Sequence, residues 1–387
     1  MESRGEHEST THIRDPVYDE VGMSELEVEI LDKPEVQRLR QIKQLGEVAR
    51  VYPSATHTRF THSIGVMHVS GLIANQLGLE DKEITEARIA GLLHDTGHGP
   101  FSHTSEEVVG EEVFHHEERS AEIAERVCSD LPIDESNVSD YILGEKQPSV
   151  VAGIIDSDRL DYIVRDSIFT SVDHGLVDVH SIVRFCTLND GEIAFEEKAV
   201  PSINDMISAR LRMMKVVYRY STVRHFATLI KRAMEQYVQR ESVEELIQHD
   251  DYTMHSELLS ENNEYYEQLT NRDLSRERYE VGLDDGLSKQ DLRRLASTSD
   301  SEIRDVLSEY LEVSTDNILV SSPYIPANVP DKTTIVGENG TAKLGDFSKY
   351  PQYIHEESWN DSSFILYAGE GSDVDKKELV SASKSIK

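Results

Sequence analysis

The decisive stretch of this sequence reads Leu92-Leu93-His94-Asp95-Thr96-Gly97-His98-Gly99-Pro100-Phe101-Ser102-His103. It closes an apolar-periodic run, Lys82 to Leu93, that predicts a helix, and the glycines and the proline that follow break that helix. An adjacent His and Asp at a helix end can bind one cation together if other helices supply further ligands. Because so many polar side chains are poor core material, the stretch predicts a metal site. The alternative is a helix end with solvated imidazoles.

Candidate partners for this cluster lie upstream and downstream in the chain. Arg59 and His62 are three residues apart just before a predicted helix, so they share one face if the turn is helical. Asp158, Tyr162 and Asp166 recur at every fourth residue and form one stripe on a helix with apolar flanks. A carboxylate on such a face needs a cation or a donor to offset its desolvation. The alternatives are a helix cap for His62 and a structural salt bridge for Asp158.

Apolar periodicity predicts a mainly α-helical fold for residues 1–240. The helical patterns cover the ranges 24–51, 64–77, 82–93, 114–127, 149–165 and 203–240, and only Ile193 to Phe195 suggests a strand. Residues 241–368 are predicted to form a smaller acidic α+β region, weakly helical to 315 and rich in β-forming residues from 317 onward. The polar segment 369–387 is expected to be a flexible tail.

The charge balance excludes several classes of partner. The 387 residues include 39 Lys and Arg against 73 Asp and Glu, which gives a formal net charge of −34. Such a surface repels anionic membranes and nucleic-acid backbones, so general nucleic-acid binding is not expected. An acidic, lysine-poor surface also favours a halophilic source. The N-terminus has no apolar core of a secretory signal and no apolar run reaches the length of a membrane span, so we expect a cytoplasmic protein.

One segment departs from this acidity. Residues 206–234 contain no Asp or Glu, and Arg210, Met214 and Tyr218 form a second stripe at four-residue spacing. A basic helix in an acidic chain is expected to face an internal anion. That anion is either a set of the protein's own carboxylates or a bound phosphate, and the sequence leaves both open.

In order, His62, His94-Asp95 and Asp158 resemble the H…HD…D signature of the HD superfamily of metal-dependent phosphohydrolases. Five segments resemble one branch of it more closely, the deoxynucleoside triphosphate triphosphohydrolases, which include SAM-and-HD-domain dNTPases and bacterial dGTPase-like proteins. The segments are DPVYD (15–19), KPEVQRLRQIKQLGEVARVYPSATHTRFTHSIGV (33–66), IAGLLHDTGHGPFSH (89–103), FHHEERS (114–120) and DSDRLDYIVRDS (156–167). The resemblance spans about residues 12–235 and implies an HD-domain helical core.

The resemblance also implies a role for each matched position. The metal ligands would be His62, His94, Asp95 and Asp158. The catalytic histidines around the leaving phosphate would be His98, His103 and His116, with Arg59 and Arg159 as phosphate contacts. Contacts to the deoxyribose and further phosphate contacts would come from Gln44, Tyr162, Asp166, Arg210 and Tyr218.

The sequence departs from the branch at a few positions. Thr11 and Arg14 stand where some relatives place a Lys and an Asn of a regulatory nucleotide site, whereas Asp32 and Arg40 match that site. In addition, Tyr220-Ser221 replaces a His and a Lys that are common in relatives. Regulation by a nucleotide is therefore left open.

The working hypothesis is a metal-dependent phosphohydrolase that cleaves a dNTP to deoxynucleoside and triphosphate. Its cofactor would be one divalent metal ion (Mn, Fe, Mg, Co, Ni or Zn), because two imidazoles and two carboxylates suit all of these ions. Expected partners are the dNTP substrate and further copies of the chain in a dimer or tetramer. Two alternatives remain, which are hydrolysis of another nucleotide phosphoester (a monophosphate or cyclic nucleotide) and a non-catalytic nucleotide-binding regulator.

Overall fold

The computed structural model describes residues 9–110, 113–326, 330–338, 340–369 and 372–386. Helices dominate the chain up to Val238, which confirms the predicted fold class. They are α1 (Glu25–Leu31), α2 (Pro34–Arg38), α3 (Arg59–Leu77), α4 (Asp81–Leu93), α5 (His103–Val109), α6 (His116–Cys128), α7 (Glu135–Leu143), α8 (Ser157–Thr170), α9 (Val179–Arg184), α10 (Val200–Met213) and α11 (Ser221–Val238).

The pair α3 and α4 positions the decisive stretch of sequence. Helix α3 ends at Gly78, whose left-handed φ of 72° suits glycine, and α4 begins at Asp81. Further along α4, a Cβ on Gly91 would lie 2.9 Å from the backbone nitrogen of Met67 in α3. The two backbones therefore approach very closely near the end of α4, which is the end that carries His94 and Asp95.

Among the described residues, eight more helices follow α11 and make the C-terminal region more helical than predicted. They are α12 (Val243–Gln248), α13 (Asp251–Ser260), α14 (Glu264–Asn271), α15 (Lys289–Ser297), α16 (Asp300–Leu311), α17 (Leu344–Phe347), α18 (Tyr350–Asn360) and α19 (Lys376–Ser385). The last one corrects the expected flexible tail, because Leu379 and Ala382 are fully buried in a second apolar core. In the described ranges, no helix is both long and apolar enough to cross a membrane.

Nine strands in the described part of the chain form three small sheets. The strands are β1 (Thr11–Asp15), β2 (Asp19–Met23), β3 (Cys186–Asn189), β4 (Glu192–Glu196), β5 (Glu277–Gly282), β6 (Ile318–Ser321), β7 (Thr334–Gly337), β8 (Gly340–Lys343) and β9 (Ser363–Ala368). The orders are β1-β2, β3-β4-β7-β8 and β5-β9-β6. All pairs are antiparallel except β4 with β7. The β-forming segments expected between 317 and 368 lie in β6, β7 and β9.

The N-terminal segment differs most from the predicted pattern. The antiparallel hairpin of β1 and β2 begins at Thr11 and precedes the first predicted helical range. The single helical range expected at 24–51 is divided into α1, α2 and two 3-10 turns, Leu39–Gln41 and Gly46–Arg50. Ile30, Val36 and Ile42 are nevertheless fully buried, so the apolar spacing reflects packing rather than one continuous helix.

Contacts cross the predicted boundary at residue 240. Strand β4 pairs with β7 through Phe195 and Ile335, and Ile335, Leu344 and Ile354 belong to the same apolar core as α3, α4 and α8. The division into 1–240 and 241–368 remains a prediction, but the two ranges share one sheet and one core.

The acid-free segment 206–234 forms the end of α10, a π-helical turn (Met214–Tyr218) and most of α11. Some of its bases pair with the protein's own carboxylates, as Lys215 does with Asp361 at 2.7 Å. Others do not. Arg224 donates to the carbonyl oxygens of Ser321, Ser322 and Ser363, whereas Arg210 lines the large cavity described below.

Candidate active site

Four side chains from three helices meet at the end of α4. His62 lies in the first turn of α3, His94 and Asp95 end α4, and Asp158 lies in the first turn of α8. The ligand atoms of His62, His94 and Asp95 all lie within 4.8 Å of one another. Asp158 Oδ1 lies 2.9 Å from His62 Nε2 and 3.7 Å from His94 Nε2. The structure thus brings all four predicted ligands together.

In each histidine of this cluster, Nδ1 makes a hydrogen bond outward and Nε2 faces the centre of the cluster. His94 Nδ1 hydrogen bonds to the carbonyl oxygen of Gly91 at 2.8 Å, and His62 Nδ1 donates to Asp161 Oδ2 at 2.7 Å. His94 Nε2 is buried and has no hydrogen-bond partner among the described residues. Since a buried polar atom without a partner is costly, this nitrogen fits a bound cation.

The charge at the cluster leads to the same conclusion. Burial alone would lower the pKa of His62, but hydrogen bonds to Asp158 and Asp161 outweigh it and raise the pKa to about 10. Burial would raise the pKa of Asp95, but the guanidinium of Arg59 outweighs it and holds that pKa well below its usual value. The carboxylates that raise the pKa of His62 also suit a divalent ion, Asp95 is held in its charged form for the same role, and the His and Asp donors suit any of the six ions considered.

Three further histidines lie beside the cluster around one buried carboxylate. His103 Nδ1 lies 2.7 Å from Glu106 Oε2, and His116 Nδ1 hydrogen bonds to Glu106 Oε1. The rings of His98 and His116 are stacked with centroids 3.8 Å apart. Burial raises the pKa of Glu106, but the two hydrogen-bonded histidines outweigh it and lower the pKa far below its usual range. Burial and the positive charge of Arg59 lower the pKa of His98 well below its usual value.

A cavity of about 700 Å³ opens over both clusters. It is lined by every position predicted to touch substrate: Gln44, Arg59, Arg159, Tyr162, Asp166, Arg210 and Tyr218. Its wall also includes His98, His103, His116 and three of the four predicted metal ligands, whereas His62 lies buried behind them. The volume is in the range of small-molecule and cofactor pockets.

One wall of the cavity is a chain of hydrogen bonds through Asp166. Tyr218 donates its hydroxyl proton to Asp166 Oδ2 at 2.6 Å, and His57 Nε2 lies 2.7 Å from Asp166 Oδ1. His57 is buried and stacks on Phe169 with ring centroids 4.5 Å apart. Both oxygens of Asp166 are therefore engaged, which fixes the carboxylate and the ring of Tyr218 against the cavity.

The predicted phosphate contacts differ in their surroundings. Arg59 Nη1 donates to Asp95 Oδ2 at 2.7 Å, at the edge of the four predicted metal ligands. Arg210 Nε donates to the hydroxyl oxygen of Tyr162 at 3.2 Å and lies on the cavity wall. Arg159 also lines the cavity, but its Nη1 donates to Asp156 Oδ2 at 2.6 Å. A phosphate would therefore have to compete with Asp156 for Arg159.

Two family models match the chain. The model described as "HD domain" matches residues 59–163, and the model described as "HD associated region" matches residues 177–381. The chain belongs to the HD-domain family. The HD pair itself is His94-Asp95 at the end of α4, and the associated region begins in the loop before α9, well upstream of residue 240.

Relatives of this HD-domain chain differ in how much of their length it covers. An uncharacterised protein of Methanocaldococcus jannaschii is 31% identical, and the match spans 92% of this chain and 78% of that protein. A protein of Dictyostelium discoideum named deoxynucleoside triphosphate triphosphohydrolase SAMHD1 homolog is 32% identical over 55% of this chain and 46% of its own length. The chain thus spans about half of that named enzyme.

Solved structures share the fold of this HD-domain chain. A phosphohydrolase of Bacteroides thetaiotaomicron superposes with a TM-score of 0.73, at 24% identity, over 93% of this chain and all of the other. A hypothetical protein of Aquifex aeolicus gives a TM-score of 0.77, at 22% identity, over 95% of this chain. Because the superposition continues past residue 240, the C-terminal region is part of the shared architecture.

Three side chains at the HD site are absent from the predicted set. Asp161 holds His62, Glu106 joins His103 to His116, and His57 holds Asp166. The sequence carried a signal for two of them, because Asp161 and Glu106 each follow a predicted site residue by three positions and so share its helix face. His57 precedes α3 in an irregular segment, where no periodicity could have indicated it.

The positions related to nucleotide regulation lie outside the cavity wall. Arg14 in β1 pairs with Asp19 at 3.2 Å, and the guanidinium of Arg40 stacks 3.5 Å above the ring of Phe60. Asp32 follows the end of α1. Regulation by a nucleotide at these positions stays a hypothesis from the sequence.

Proposed function

We propose that this HD-domain protein hydrolyses dNTPs to deoxynucleoside and triphosphate. The observation that carries the proposal is the single cavity in which a His/Asp metal cluster, a histidine–glutamate cluster and a wall built on Tyr218 and Asp166 face one another. Selection of a deoxynucleotide requires a phosphate site beside a wall that contacts the sugar and has no partner for a 2′-hydroxyl. The named triphosphohydrolase relative supports the same substrate class.

Different residues bind the metal ion, the triphosphate and the nucleoside. A divalent ion held by His62, His94, Asp95 and Asp158 supplies Lewis-acid chemistry when bound, since it lowers the pKa of water and polarises a phosphoryl oxygen. Arg59 and Arg210 bind the triphosphate and offset the charge that develops on it. Gln44, whose buried Oε1 has no hydrogen-bond partner among the described residues, is available to accept a hydrogen bond from the nucleoside.

Proton transfer is assigned to the histidine–glutamate cluster. Water attacks the α-phosphorus and releases one proton to the solvent, the bond from that phosphorus to the 5′ oxygen breaks, and the departing oxygen takes up a proton. His103 lines the cavity and its Nδ1 is engaged by Glu106, so its Nε2 is free to donate that proton. His116, held by the other oxygen of Glu106, keeps the carboxylate oriented.

One observation favours a second candidate, hydrolysis of a nucleotide with fewer phosphates. Arg159 is paired with Asp156 rather than free, and Tyr220-Ser221 replaces the basic pair common in relatives. Fewer free basic side chains reduce the positive charge available to a long triphosphate chain, which suits a monophosphate or a cyclic nucleotide.

The experiment that separates the candidates is a substrate panel with direct product analysis. Purified protein is incubated with each divalent ion and with dNTPs, NTPs, deoxynucleoside monophosphates and cyclic nucleotides, and the phosphorus products are separated. The proposal predicts intact triphosphate from dNTPs alone. His94→Ala and Asp95→Ala should lose both bound metal and turnover, whereas His174→Ala, which removes an exposed imidazole, should lose neither. Orthophosphate or pyrophosphate as the product would exclude triphosphohydrolysis.

We further propose the setting in which the enzyme works. The net charge of −34 supports a cytoplasm rich in potassium salt, a halophilic source and no general binding to nucleic acid. A dimer or tetramer of the chain is the expected assembly. Light scattering after gel filtration in molar potassium chloride tests the assembly, and a filter-binding assay with duplex DNA in low salt tests the charge argument.

A further inference from the structure

The carboxylate of Asp251 lies far from the HD pair in sequence but contacts two loops of the candidate site. Asp251 is the first residue of α13 and is buried, with 4% of its surface exposed. Its Oδ2 accepts a hydrogen bond from the backbone N–H of Lys43 at 3.0 Å. Its Oδ1 accepts one from the backbone N–H of Phe101 at 2.7 Å. One side chain therefore ties the loop before Gln44 to the loop that follows the HD pair.

The loop at Phe101 is held in a conformation that it would not adopt by itself. Phe101 and Ser102 both have φ of 56°, and Ser102 has ψ of −124°. Residues with a Cβ seldom occupy this region, and they persist there only when the surroundings fix them. The hydrogen bond from the Phe101 amide to a buried carboxylate supplies such a constraint, because bonds to a charged acceptor are the stronger kind.

This conformation places the hydroxyl of Ser102 at the centre of the site. Ser102 Oγ accepts a hydrogen bond from Arg59 Nε at 2.7 Å and donates to the carbonyl oxygen of Lys43 at 3.0 Å. Arg59 in turn contacts Asp95. Asp251 thus fixes both backbone segments that Ser102 connects, and the guanidinium of Arg59 depends on that connection for its orientation.

The same short stretch of the C-terminal region holds the loop at two more points. Arg38 Nη1 donates to the carbonyl oxygen of His98 at 2.8 Å, while its Nη2 donates to that of Ile247 at 3.1 Å. Arg119 Nη1 bridges the carbonyl oxygens of Gly97 and Ile247 at 3.1 and 2.9 Å. The loop after the HD pair is therefore linked to residues 247–251 at Gly97, His98 and Phe101.

We propose that Asp251 is a positioning residue of the candidate active site, which holds the loops at Lys43 and Phe101 so that Arg59 and Gln44 face the cavity. The kinetic part of this proposal rests on the proposed function, and its structural part does not. It gives the C-terminal region a direct part in assembling the site.

The structural part is tested by hydrogen exchange of the backbone amides. The variants are Asp251→Ala, Asp251→Asn and the matched control Asp250→Ala. Asp250 caps the same helix through the amides of Tyr252 and Thr253, so its replacement removes a helix cap without a bond to either loop. We expect exchange at Phe101 to be about tenfold faster or more in Asp251→Ala, less so in Asp251→Asn, which keeps one acceptor, and unchanged in Asp250→Ala. Unchanged exchange in both Asp251 variants would overturn the proposal.

The positioning role is tested by steady-state kinetics of the same proteins with the best dNTP. We expect kcat to fall by about 100-fold in Asp251→Ala, since a displacement of about 1 Å can have that effect, while KM changes little. Asp251→Asn should be partly active, and Asp250→Ala should match the wild type. Adding Ser102→Ala to Asp251→Ala should cost less than the sum of the two single changes. Faster exchange with unaltered kcat, or full additivity, would contradict the role.

If the wild type hydrolyses no dNTP, the proposed function fails and the positioning role is decided by binding instead. Inorganic triphosphate serves as the probe in calorimetry, since Arg59 is the group proposed to bind it. Weaker binding by Asp251→Ala than by wild type and Asp250→Ala supports the role, and equal behaviour of all three proteins overturns it.

Discussion

Asp161 accepts a hydrogen bond from His62 Nδ1 at 2.7 Å and lies entirely within the protein. The same carboxylate accepts two hydrogen bonds from Arg165, at 2.8 and 2.9 Å, and Arg165 also donates to Asp15 at 2.8 Å. A Cβ on Gly65 would lie 1.9 Å from Asp161 Oδ1, so α3 and α8 can approach this closely only because residue 65 is glycine. The N-terminal hairpin is thereby linked to the predicted metal ligands through buried charges.

This relationship predicts a loss of metal affinity without loss of a ligand. Asp161→Asn keeps the shape of the side chain but no longer orients and polarises His62. The affinity for a divalent ion should fall by about 10- to 100-fold, as measured by metal titration of the apoprotein. Asp173→Asn, an exposed carboxylate after the same helix, is the control. Equal affinity in the wild type and Asp161→Asn would mean that the hydrogen bond does not support the metal site.

Glu106 gives a prediction about the proton donor. In Glu106→Gln the side chain can no longer accept from both His103 and His116, so His103 loses its fixed orientation. Turnover should fall by about 100-fold or more, while metal content stays that of the wild type. Glu118→Gln, on the exposed face of α6, should be unaffected. Loss of metal together with activity would instead make Glu106 a metal ligand.

Sugar discrimination is the third prediction, and it depends on the wall formed by Tyr218 and Asp166. A buried wall without a partner for an extra 2′-hydroxyl costs about 1–3 kcal/mol, or about 5- to 150-fold in specificity. The wild type should therefore prefer dGTP to GTP in kcat/KM, and Tyr218→Ala should narrow the gap mainly by admitting GTP. Asp166→Ala should lower turnover of dGTP itself, because the sugar is less well positioned.

Tyr218→Phe is the matched control for that experiment. It keeps the aromatic ring but removes the hydroxyl that donates to Asp166 at 2.6 Å. If the ring excludes the 2′-hydroxyl, Tyr218→Phe should retain the preference for dGTP while its kcat falls. Equal kcat/KM for dGTP and GTP in the wild type would refute the deoxynucleotide assignment and leave the phosphohydrolase chemistry in place.

Salt dependence follows from the composition. With a net charge of −34, repulsion among surface carboxylates destabilises the fold at low ionic strength, and salt screens it. The melting temperature should rise with potassium chloride up to molar concentration. A flat or falling curve would count against both the repulsion argument and a halophilic source.

The sequence predicted which side chains meet at the candidate site better than it predicted the bounds of the elements around it. His94-Asp95 lies at the end of a helix because a long apolar run stops at glycines, and that pattern is local. The hairpin β1–β2 escaped prediction because its strands are only five residues long and their burial depends on distant helices. The C-terminal region was predicted to be only weakly helical because its segments are acidic and weakly periodic. Such segments become helical only when they pack on a second core.

The supporting residues were missed for a related reason. His57, Asp161 and Asp251 act on side chains or amides that are distant in sequence, and their roles depend on which elements the fold brings together. Asp251 illustrates the limit most clearly, since nothing near it in the chain indicates that Lys43 and Phe101 donate to it. Spacing within one helix can suggest that two residues share a face, but not which loop a buried carboxylate will hold.

The most direct test of the account is the fate of the oxygen atom of water during hydrolysis of dGTP. The wild-type protein is incubated with dGTP and a divalent ion in water enriched in oxygen-18, and the masses of both products are measured by mass spectrometry. Attack of water on the α-phosphorus predicts triphosphate that carries the heavy oxygen, together with unlabelled deoxyguanosine. Label in the deoxyguanosine, or formation of a deoxyguanosine phosphate in place of triphosphate, would contradict the account.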